Sequence, residues 1–444
     1  MGFPPRVGSA AAALEFGREP AELLLVFGLG QLTLTLLDDL LPPRAAQEHL
    51  QSLHESGHEP SVTPQAVRYL YFRSVRVLIC PDKFAGTLTA SEVATAVAEG
   101  WHATAPGDET VLRPLSDGGP GFVEVLGTAL GGRRLPVDIV DPLGRPARGE
   151  VLLVGATAYV ESAQACGLHL LSKAERDVNA ATSYGLGLLL AAAVEGGATE
   201  IVVGLGGSAV NDAGAGMLAA LGAAPIDESG YALPYGAAPL ITAAGLGGEP
   251  RLRQARIVAA TDVDNPLVGL HGASNVYGPQ KGATREDVLR LDAALDHFAG
   301  VLERAFGVEH LRTLPGGGAA GGIGAALLAL GGRVVSGIGL VTSLIGLEAQ
   351  LDAADLVITG EGSFDHQSLR GKVAAGIAGG ARDRGLPCVV IAGRNETGHR
   401  EAAGAGVTET YALVEHFGSE KLALAEPARG LREVSARLAK QWSR

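Results

Sequence analysis

Cysteine, aromatic residues and lysine are all scarce in this chain of 444 residues. Its three cysteines, Cys80, Cys166 and Cys388, lack the close spacing that a disulfide framework or a structural zinc site requires. Aromatic residues make up 5% of the chain, so the 47% hydrophobic content comes mainly from Ala, Leu and Val. These scarcities favour a reducing, cytoplasmic location and α/β layers with glycine-rich turns over a disulfide-stapled secreted domain.

Excess positive charge and long apolar runs are also missing. The formal net charge is −13 and the pI is near 5.4, which disfavours nucleic acid as a partner because such binding depends on many Lys and Arg side chains. The most apolar early stretch, residues 23–37, is shorter than the ~20 residues that span a bilayer. We therefore expect neither a nucleic-acid nor a membrane partner, and the sequence leaves the oligomeric state open.

Residues 1–74 show no clear alternation of strands and helices. We predict a poorly specified N-terminal extension here, or a segment that is translated from an upstream mis-start. The letters from His54 to His58 match the H-E-x-x-H zinc signature, but Gly57 and Pro60 disfavour the steady helix which that site needs. We interpret this match as chance.

A regular order of strands and helices begins at residue 75. Short apolar runs predict strands at 75–80, 111–115, 151–154, 201–204, 257–261, 356–359 and 388–392. Thr89 and Glu92 have the spacing of a capping box and predict a helix that ends near residue 103. Such alternation indicates largely parallel sheets that are covered by helices.

Polar and glycine-rich loops follow several of these predicted strands. They are 81–87, 116–121, 205–212, 262–266 and 359–365. Each alone is explained by ordinary Asx turns. Together they supply backbone N–H groups, acidic ligands, a cation and a proton acceptor, which are the groups that phosphoryl transfer needs.

Lysine is rare beside arginine, with six Lys against 29 Arg. Three of the six, Lys83, Lys281 and Lys372, nevertheless stand beside glycine-rich or acidic turns. A compact ammonium is a common point charge for phosphate, although ordinary surface lysines are an open alternative for each.

Common nucleotide and hydrolase motifs do not fit. A Walker A loop would need Gly at the position of His366 and Ser or Thr at Val373. Val210 replaces the last Gly of a G-x-S-x-G elbow, and no G-x-G-x-x-G follows the first strand. A P-loop kinase and a serine hydrolase are therefore excluded.

The set of motifs resembles the type I glycerate kinase family over residues 75–444. The strings that carry this resemblance occur in family order: Pro81-Asp82 with Phe84 and Gly86, the Asp117-Gly118-Gly119 loop, 141–146, 206–212, 262–266, 278–282, 316–322 and 358–362. The chain departs from the family in three places. Lys83 stands two positions before the usual lysine, where this chain has Ala85; Pro120 and Phe122 replace usual residues; and Ala213 replaces a glycine.

This resemblance implies two α/β lobes with largely parallel, helix-covered sheets, an active cleft between them, and a second lobe at about 129–255 inserted in the first. It implies transfer of the ATP γ-phosphoryl group, with Mg²⁺, to a hydroxyl of D-glycerate, with 2-phosphoglycerate preferred over 3-phosphoglycerate. Two alternatives stay open, a dinucleotide-dependent oxidoreductase and a non-catalytic sugar-acid binding protein.

The resemblance also implies site residues. The catalytic candidates are Lys83, Asp117, Asp262 and Asp264, of which Asp262 and Asp264 are the Mg²⁺ candidates. The substrate-binding or phosphate-binding candidates are Asp82, Gly118, Gly119, Gly206, Gly207, Ser208, Asn211, Asp212, Asn265, Lys281, Gly317, Gly318, Glu361 and Lys372.

Overall fold

A computed structural model describes residues 22–28, 31–37, 74–84, 86–366, 368–369 and 373–443. The chain divides into two units, Met1–Ser74 with Arg444 and Val75–Ser443. The first unit contains an antiparallel hairpin of β1 (Glu22–Gly28) and β2 (Gln31–Leu37). These strands were not predicted, although Leu and Thr alternate along β2 with the period of two that a strand requires. The H-E-x-x-H letters lie outside the described residues.

The second unit holds thirteen strands, β3 to β15. Their bounds are β3 Arg76–Ile79, β4 Glu109–Leu112, β5 Arg133–Val140, β6 Pro146–Val154, β7 Thr157–Glu161, β8 Glu200–Gly204, β9 Pro225–Ile226, β10 Gly245–Leu246, β11 Arg256–Ala260, β12 Arg333–Val335, β13 Leu356–Phe364, β14 Cys388–Asn395 and β15 Glu409–Ala412. All seven strands predicted from residue 75 onward overlap observed strands. The sequence reasoning missed β5, β7, β12 and β15 and the two-residue pair β9 and β10.

Two larger sheets organise this unit. The five-stranded sheet has the order β15-β14-β13-β3-β4, and all its pairs are parallel. The six-stranded sheet has the order β12-β11-β8-β7-β6-β5, with β5, β6 and β7 joined in antiparallel fashion and the rest parallel. The mostly parallel α/β fold is thus confirmed.

The chain builds the six-stranded sheet between β4 and β13, so this sheet is an insertion in the other. Its strands extend to Val335, well beyond the expected end of the second lobe at residue 255, because β11 pairs with β8 and β12 pairs with β11. The lobe division itself stays a prediction, since Val75–Ser443 is one compact unit.

Helices cover both sheets. Their bounds are α1 Ala90–His102, α2 Phe122–Leu130, α3 Ala163–Cys166, α4 Tyr184–Glu195, α5 Ala215–Ala220, α6 Ala273–Tyr277, α7 Arg285–Phe306, α8 Ala319–Ala329, α9 Gly337–Leu344, α10 Leu347–Asp352, α11 Val373–Arg382, α12 His399–Gly404, α13 Leu413–Phe417, α14 Glu420–Ala425 and α15 Pro427–Trp442. The Thr89 hydroxyl accepts from Glu92 N and the Glu92 carboxylate accepts from Thr89 N, so the predicted capping box is confirmed. Within the described part of the chain, no helix has the length and hydropathy that a membrane crossing requires.

One apolar core contacts both sheets near the loops of interest. It contains Leu78 and Val357 of the five-stranded sheet, Val202 and Val258 of the six-stranded sheet, and Phe122 of α2. The ring of Phe122 packs edge-on against Tyr159, with a centroid distance of 6.4 Å. Burial of such aromatic and aliphatic side chains fixes α2 against the strands, and this helix begins directly after the 116–121 loop.

Candidate active site

Loops from both sheets meet where their parallel strands end. The loops after β3 and β4 leave the five-stranded sheet, and those after β8, β11 and β12 leave the six-stranded sheet. Glycine permits the approach: a Cβ on Gly206 would lie 2.7 Å from the Cα of Gly119, and one on Gly118 would lie 2.6 Å from the carbonyl oxygen of Ala260. The carboxyl ends of parallel strands are where α/β proteins place their ligands, so this junction is the candidate active site.

Lys83 is the cation of this junction. Its Nζ lies 3.3 Å from Asp82 Oδ1 and 3.5 Å from Asp117 Oδ1, and its side chain is 20% exposed. Burial alone would lower the pKa of Lys83, but the carboxylates of Asp117 and Asp82 outweigh that effect and raise it. Lys83 is therefore a charged ammonium at neutral pH.

Asp82 is the nearer of the two carboxylate partners of Lys83. Burial raises the pKa of Asp82 to about 6, and the neighbouring Lys83 ammonium limits this rise. The backbone N–H of Asp82 donates to the carbonyl of Gly360 at 2.8 Å. Because Gly360 is in β13, this bond places Glu361, which is buried, next to the Asp82 loop.

Asp117 begins a tight turn. Its Oδ1 accepts from Gly119 N at 3.0 Å, and Ser116 Oγ accepts from Gly118 N at 3.2 Å. The N–H groups of Gly118 and Gly119, predicted to contact phosphate or substrate, thus have acceptors within their own turn. The turn holds the Asp117 carboxylate in place beside Lys83.

Asp262 lies near Asp117, and Gly337 is close to both residues. Its carboxylate accepts from Ser336 Oγ at 2.6 Å and from Ile338 N at 3.0 Å, at the N-terminus of α9. A Cβ on Gly337 would lie 2.2 Å from the Asp117 carbonyl oxygen and 3.3 Å from Asp262 Oδ2. Desolvation raises the pKa of Asp262, and the charge of Asp117 adds to this effect.

These two carboxylates fit a magnesium ion. Mg²⁺ is commonly held by one or two carboxylates together with the phosphates of a substrate, and the mutual repulsion of Asp117 and Asp262 would be relieved by a cation. Among the described residues, no three His, Cys, Asp or Glu side chains form a metal-binding group.

Asp264 and Asn265 lie toward α6. Asp264 is exposed, and the pKa of Tyr277 is raised by burial and further by the charge of Asp264. Tyr277 Oη donates to Asn265 Oδ1 at 2.7 Å, and Asn265 Nδ2 donates to the carbonyl of His271 at 2.8 Å. The side chain of Asn265 is therefore used to fix its own loop.

Lys281, a predicted substrate-binding or phosphate-binding residue, is buried, whereas an ammonium that binds an anion from solvent must be accessible. Its Nζ donates to Ser208 Oγ at 3.1 Å and to the carbonyl of Val210 at 2.7 Å, and the residue is 2% exposed. Burial lowers the pKa of Lys281 to about 7, although nearby Asp212 opposes the shift. Through these two hydrogen bonds, Lys281 holds the 206–210 loop in place.

The buried lysine predicts a specific pH dependence of stability. Its pKa is about 7 in the folded protein and 10.5 ordinarily, so between these values the unfolded chain binds more protons and the free energy of unfolding rises with pH. The slope from one such group is up to about 1.4 kcal/mol per pH unit. Between pH 7 and 9, Lys281 should raise the free energy of unfolding of the wild type by about 2 kcal/mol. Urea unfolding of Lys281→Met over the same pH range should lack this contribution.

The control for this prediction is exposed Lys421. Lys421→Met should keep the wild-type rise. Identical pH dependence in wild type and Lys281→Met would contradict a buried, depressed lysine.

Asp212 is held by hydrogen bonds from its own surroundings. Its Oδ2 accepts from Ser183 N, Ser183 Oγ and Gly216 N at 2.8, 2.8 and 3.1 Å, and its Oδ1 accepts from Gly214 N at 3.1 Å. The side chain is fully buried. These four donors fix the carboxylate in place, and its role in binding substrate or metal stays a prediction.

Asn211 and Ser208 are also buried. Asn211 Nδ2 donates to Ser274 Oγ at 2.9 Å, while its Oδ1 has no hydrogen-bond partner among the described residues. Gly207, in the left-handed region at φ +64°, lies next to Pro120. These residues connect the Lys281 contacts to the junction.

Gly317 and Gly318 pack against the backbone, and their N–H groups donate to backbone carbonyl groups. Gly318 N donates to the carbonyl of Asn265 at 2.9 Å and Gly317 N donates to the carbonyl of Leu314 at 3.0 Å. A Cβ on Gly318 would lie 2.3 Å from the carbonyl oxygen of Pro266. These N–H groups have acceptors within the protein, so both glycines have a packing role, and their contact with phosphate stays a prediction. Lys372 lies outside the described residues.

The sequence reasoning missed three side chains that shape the site. Glu161 accepts hydrogen bonds at the start of α2, Ser336 binds Asp262, and Ser183 binds Asp212. The available signal for Glu161 was a single acidic residue directly after the apolar run 158–160, in a strand that was not predicted. Ser183 and Ser336 carry no distinguishing pattern in the sequence.

Comparisons with known proteins agree with this geometry. A model of the glycerate kinase family matches residues 77–443. The chain is 42% identical over 325 residues to the glycerate 2-kinase of Escherichia coli, covering 72% of this chain and 85% of that protein. It is 40% identical over 344 residues to the glycerate kinase of Halalkalibacterium halodurans, covering 76% and 90%.

A solved structure is similar as well. The crystal structure assigned to glycerate kinase 2 of Salmonella typhimurium has a TM-score of 0.68 and 38% sequence identity, and the match covers 83% of this chain and 98% of that one. The match of the family model to most of the chain and the identity to these relatives establish the relationship. The chain belongs to the glycerate kinase family and is therefore an enzyme of the kinase class.

Proposed function

We propose that this enzyme transfers the γ-phosphoryl group of Mg-ATP to a hydroxyl of D-glycerate and releases 2-phosphoglycerate. The observation that carries the proposal is the Lys83 ammonium held between Asp82 and Asp117, with Asp262 near Asp117. The similarity to relatives named glycerate kinase and glycerate 2-kinase supports the substrate and the position of phosphorylation.

Each group has a task in this reaction. The permanently charged Lys83 offsets the negative charge that spreads over the transferred phosphoryl oxygens. Asp117 and Asp262 would hold Mg²⁺, which would supply positive charge to offset the negative charge of the phosphate oxygens. A carboxylate accepts the proton of the substrate hydroxyl, and Asp262 and Asp264 are the candidates for that role, as the family resemblance implies.

The alternatives from the sequence are less well supported. A dinucleotide-dependent oxidoreductase or a silent sugar-acid binding protein does not fit membership in a kinase family. We place the reaction in the cytoplasm, where ATP is abundant. All three cysteines are free and buried, as suits that compartment.

Phosphorus NMR of the reaction products tests the proposal. Enzyme incubated with ATP, Mg²⁺ and D-glycerate should give the phosphomonoester signal of 2-phosphoglycerate, identified by addition of the authentic compound. A signal of 3-phosphoglycerate would overturn the proposed position. The absence of either compound would overturn the proposed substrate.

We also propose that residues 75–444 are the complete catalytic region and that residues 1–74 are dispensable. The family model begins at residue 77, and the described strands of both larger sheets all lie between Arg76 and Ala412. A protein that starts at residue 75, with Met in its place, should match the full chain in melting temperature and in glycerate-dependent ADP release. An insoluble or inactive short form beside an active long form would make the extension structural.

A further inference from the structure

Glu161 is a buried acidic residue that neither the sequence motifs nor the proposed chemistry uses. It ends β7 at the same sheet edge as the candidate site, opposite Gly204 in the register with β8, and it is 6% exposed. Ser162 N donates to the carbonyl of Gly204 at 3.0 Å, which fixes the backbone beside it. A buried carboxylate requires hydrogen bonds or a counter-charge to offset its desolvation.

The N-terminus of α2 supplies those hydrogen bonds. Glu161 Oε2 accepts from Gly121 N at 3.1 Å and from Val123 N at 3.3 Å. The N-cap residue of α2 is Gly121, which has a φ of +94° and no side chain to cap the helix. Glu161, at the end of β7, therefore provides both the hydrogen-bond acceptor and the negative charge that a helix N-terminus favours.

The capped end of α2 carries the Asp117 turn. Only residues 118–120 separate Asp117 from Gly121, and Asp117 Oδ1 lies 3.5 Å from Lys83 Nζ. Burial raises the pKa of Glu161 to about 7, the hydrogen bonds from α2 oppose this, and the Lys83 charge opposes it further. Lys83 thus lies close enough to act electrostatically on Glu161 as well as on Asp82 and Asp117.

We propose that Glu161 is a positioning residue of the kinase reaction: by anchoring the N-terminus of α2 to β7, its carboxylate holds the Asp117 turn against Lys83. This inference rests on the proposed function. A misplacement of about 1 Å in a reacting group can cost on the order of 100-fold in rate. Loss of this anchor should therefore lower kcat strongly while the melting temperature changes little.

Three variants separate positioning from a general structural role. Glu161→Ala removes the acceptor, whereas Glu161→Gln keeps one, because both N–H groups contact the same carboxylate oxygen. The matched control is Asp108→Asn. Asp108 is also buried and accepts from two N–H groups, Val75 N at 2.9 Å and Trp101 Nε1 at 2.9 Å, but it precedes β4 at the opposite edge of its sheet.

Kinetics and hydrogen–deuterium exchange are measured on the full chain, well below each melting temperature. We expect kcat of Glu161→Ala to fall about 100-fold or more and that of Asp108→Asn by less than about 3-fold. We expect kcat of Glu161→Gln to fall by about 3- to 10-fold, with a smaller acceleration of exchange in residues 117–130, because the acceptor stays but the negative charge at the helix N-terminus is lost. Amide exchange in residues 117–130 should accelerate in Glu161→Ala and stay near wild type in Asp108→Asn.

Several outcomes would overturn the inference. A Glu161→Ala enzyme with wild-type kcat and exchange would do so, and so would an equal loss of kcat in Asp108→Asn. If Glu161→Ala fails to fold, Glu161→Gln decides: unchanged kcat together with unchanged exchange in residues 117–130 contradicts the inference. If wild type does not phosphorylate glycerate, the proposed function fails instead, and the exchange data alone still test whether Glu161 anchors the Asp117 turn.

Discussion

Replacing Lys83 by alanine should lower kcat at least about 100-fold, because the charge that stabilises the transferred phosphoryl group is lost. This ammonium is held between Asp82 and Asp117. Without it, the pKa of Asp82, now about 6, should rise further, since the Lys83 charge is what limits it. The pH dependence of any residual activity should therefore shift upward.

The control is Lys421→Ala, which removes an exposed lysine far along the chain and should leave kcat unchanged. A second comparison moves the ammonium instead of deleting it. Lys83→Ser combined with Ala85→Lys restores the usual family order and should recover part of the lost activity. A fully active Lys83→Ala enzyme would show that the ammonium has no part in the chemistry.

Asp262→Asn should lower kcat by at least about 100-fold. Asparagine keeps a hydrogen-bond acceptor for Ile338 N, so the N-terminus of α9 stays capped while the charge is lost. If Asp262 helps to hold Mg²⁺ with Asp117, the Mg²⁺ concentration that gives half-maximal rate should rise as well. A variant with wild-type kcat and Mg²⁺ dependence would make Asp262 a helix cap and no more.

Asp264→Asn is the informative neighbour for comparison. The family resemblance implies that both carboxylates act, so a loss of similar size in this variant supports two catalytic carboxylates. The charge of Asp264 acts on Tyr277, on the α6 side of the loop. If kcat falls in Asp262→Asn but not in Asp264→Asn, the chemistry is assigned to the Asp262 carboxylate.

Much of the fold follows from local sequence. Apolar runs gave seven of the strands because buried parallel strands are continuously hydrophobic, and Thr89 with Glu92 marked a helix start through a local motif. The antiparallel strands β5 and β7 were missed, although β6 between them was found. The partly exposed residues of β5 break the apolar run on which the prediction relied. β7 is buried beyond Thr157, but its apolar run is only three residues long.

The site was harder to predict than the fold. The sequence predicted that Lys83, Asp117 and Asp262 lie in loops after strands. Their proximity depends on the insertion of the six-stranded sheet between β4 and β13 of the five-stranded sheet. Asp and Gly serve turns and ligands equally well in sequence. The hydrogen bonds that Asp212 and Gly318 make within the fold were not evident from the sequence, and Glu161 became visible only through its contact with α2.

Glycerate-dependent release of ADP tests the central claim most directly. Purified full-length protein is incubated with ATP, and ADP is measured with D-glycerate and Mg²⁺ together, with each alone, and with neither. The account predicts rapid ADP release only when both are present, and its loss in Lys83→Ala. Equal release without glycerate, or none under any condition, would contradict it.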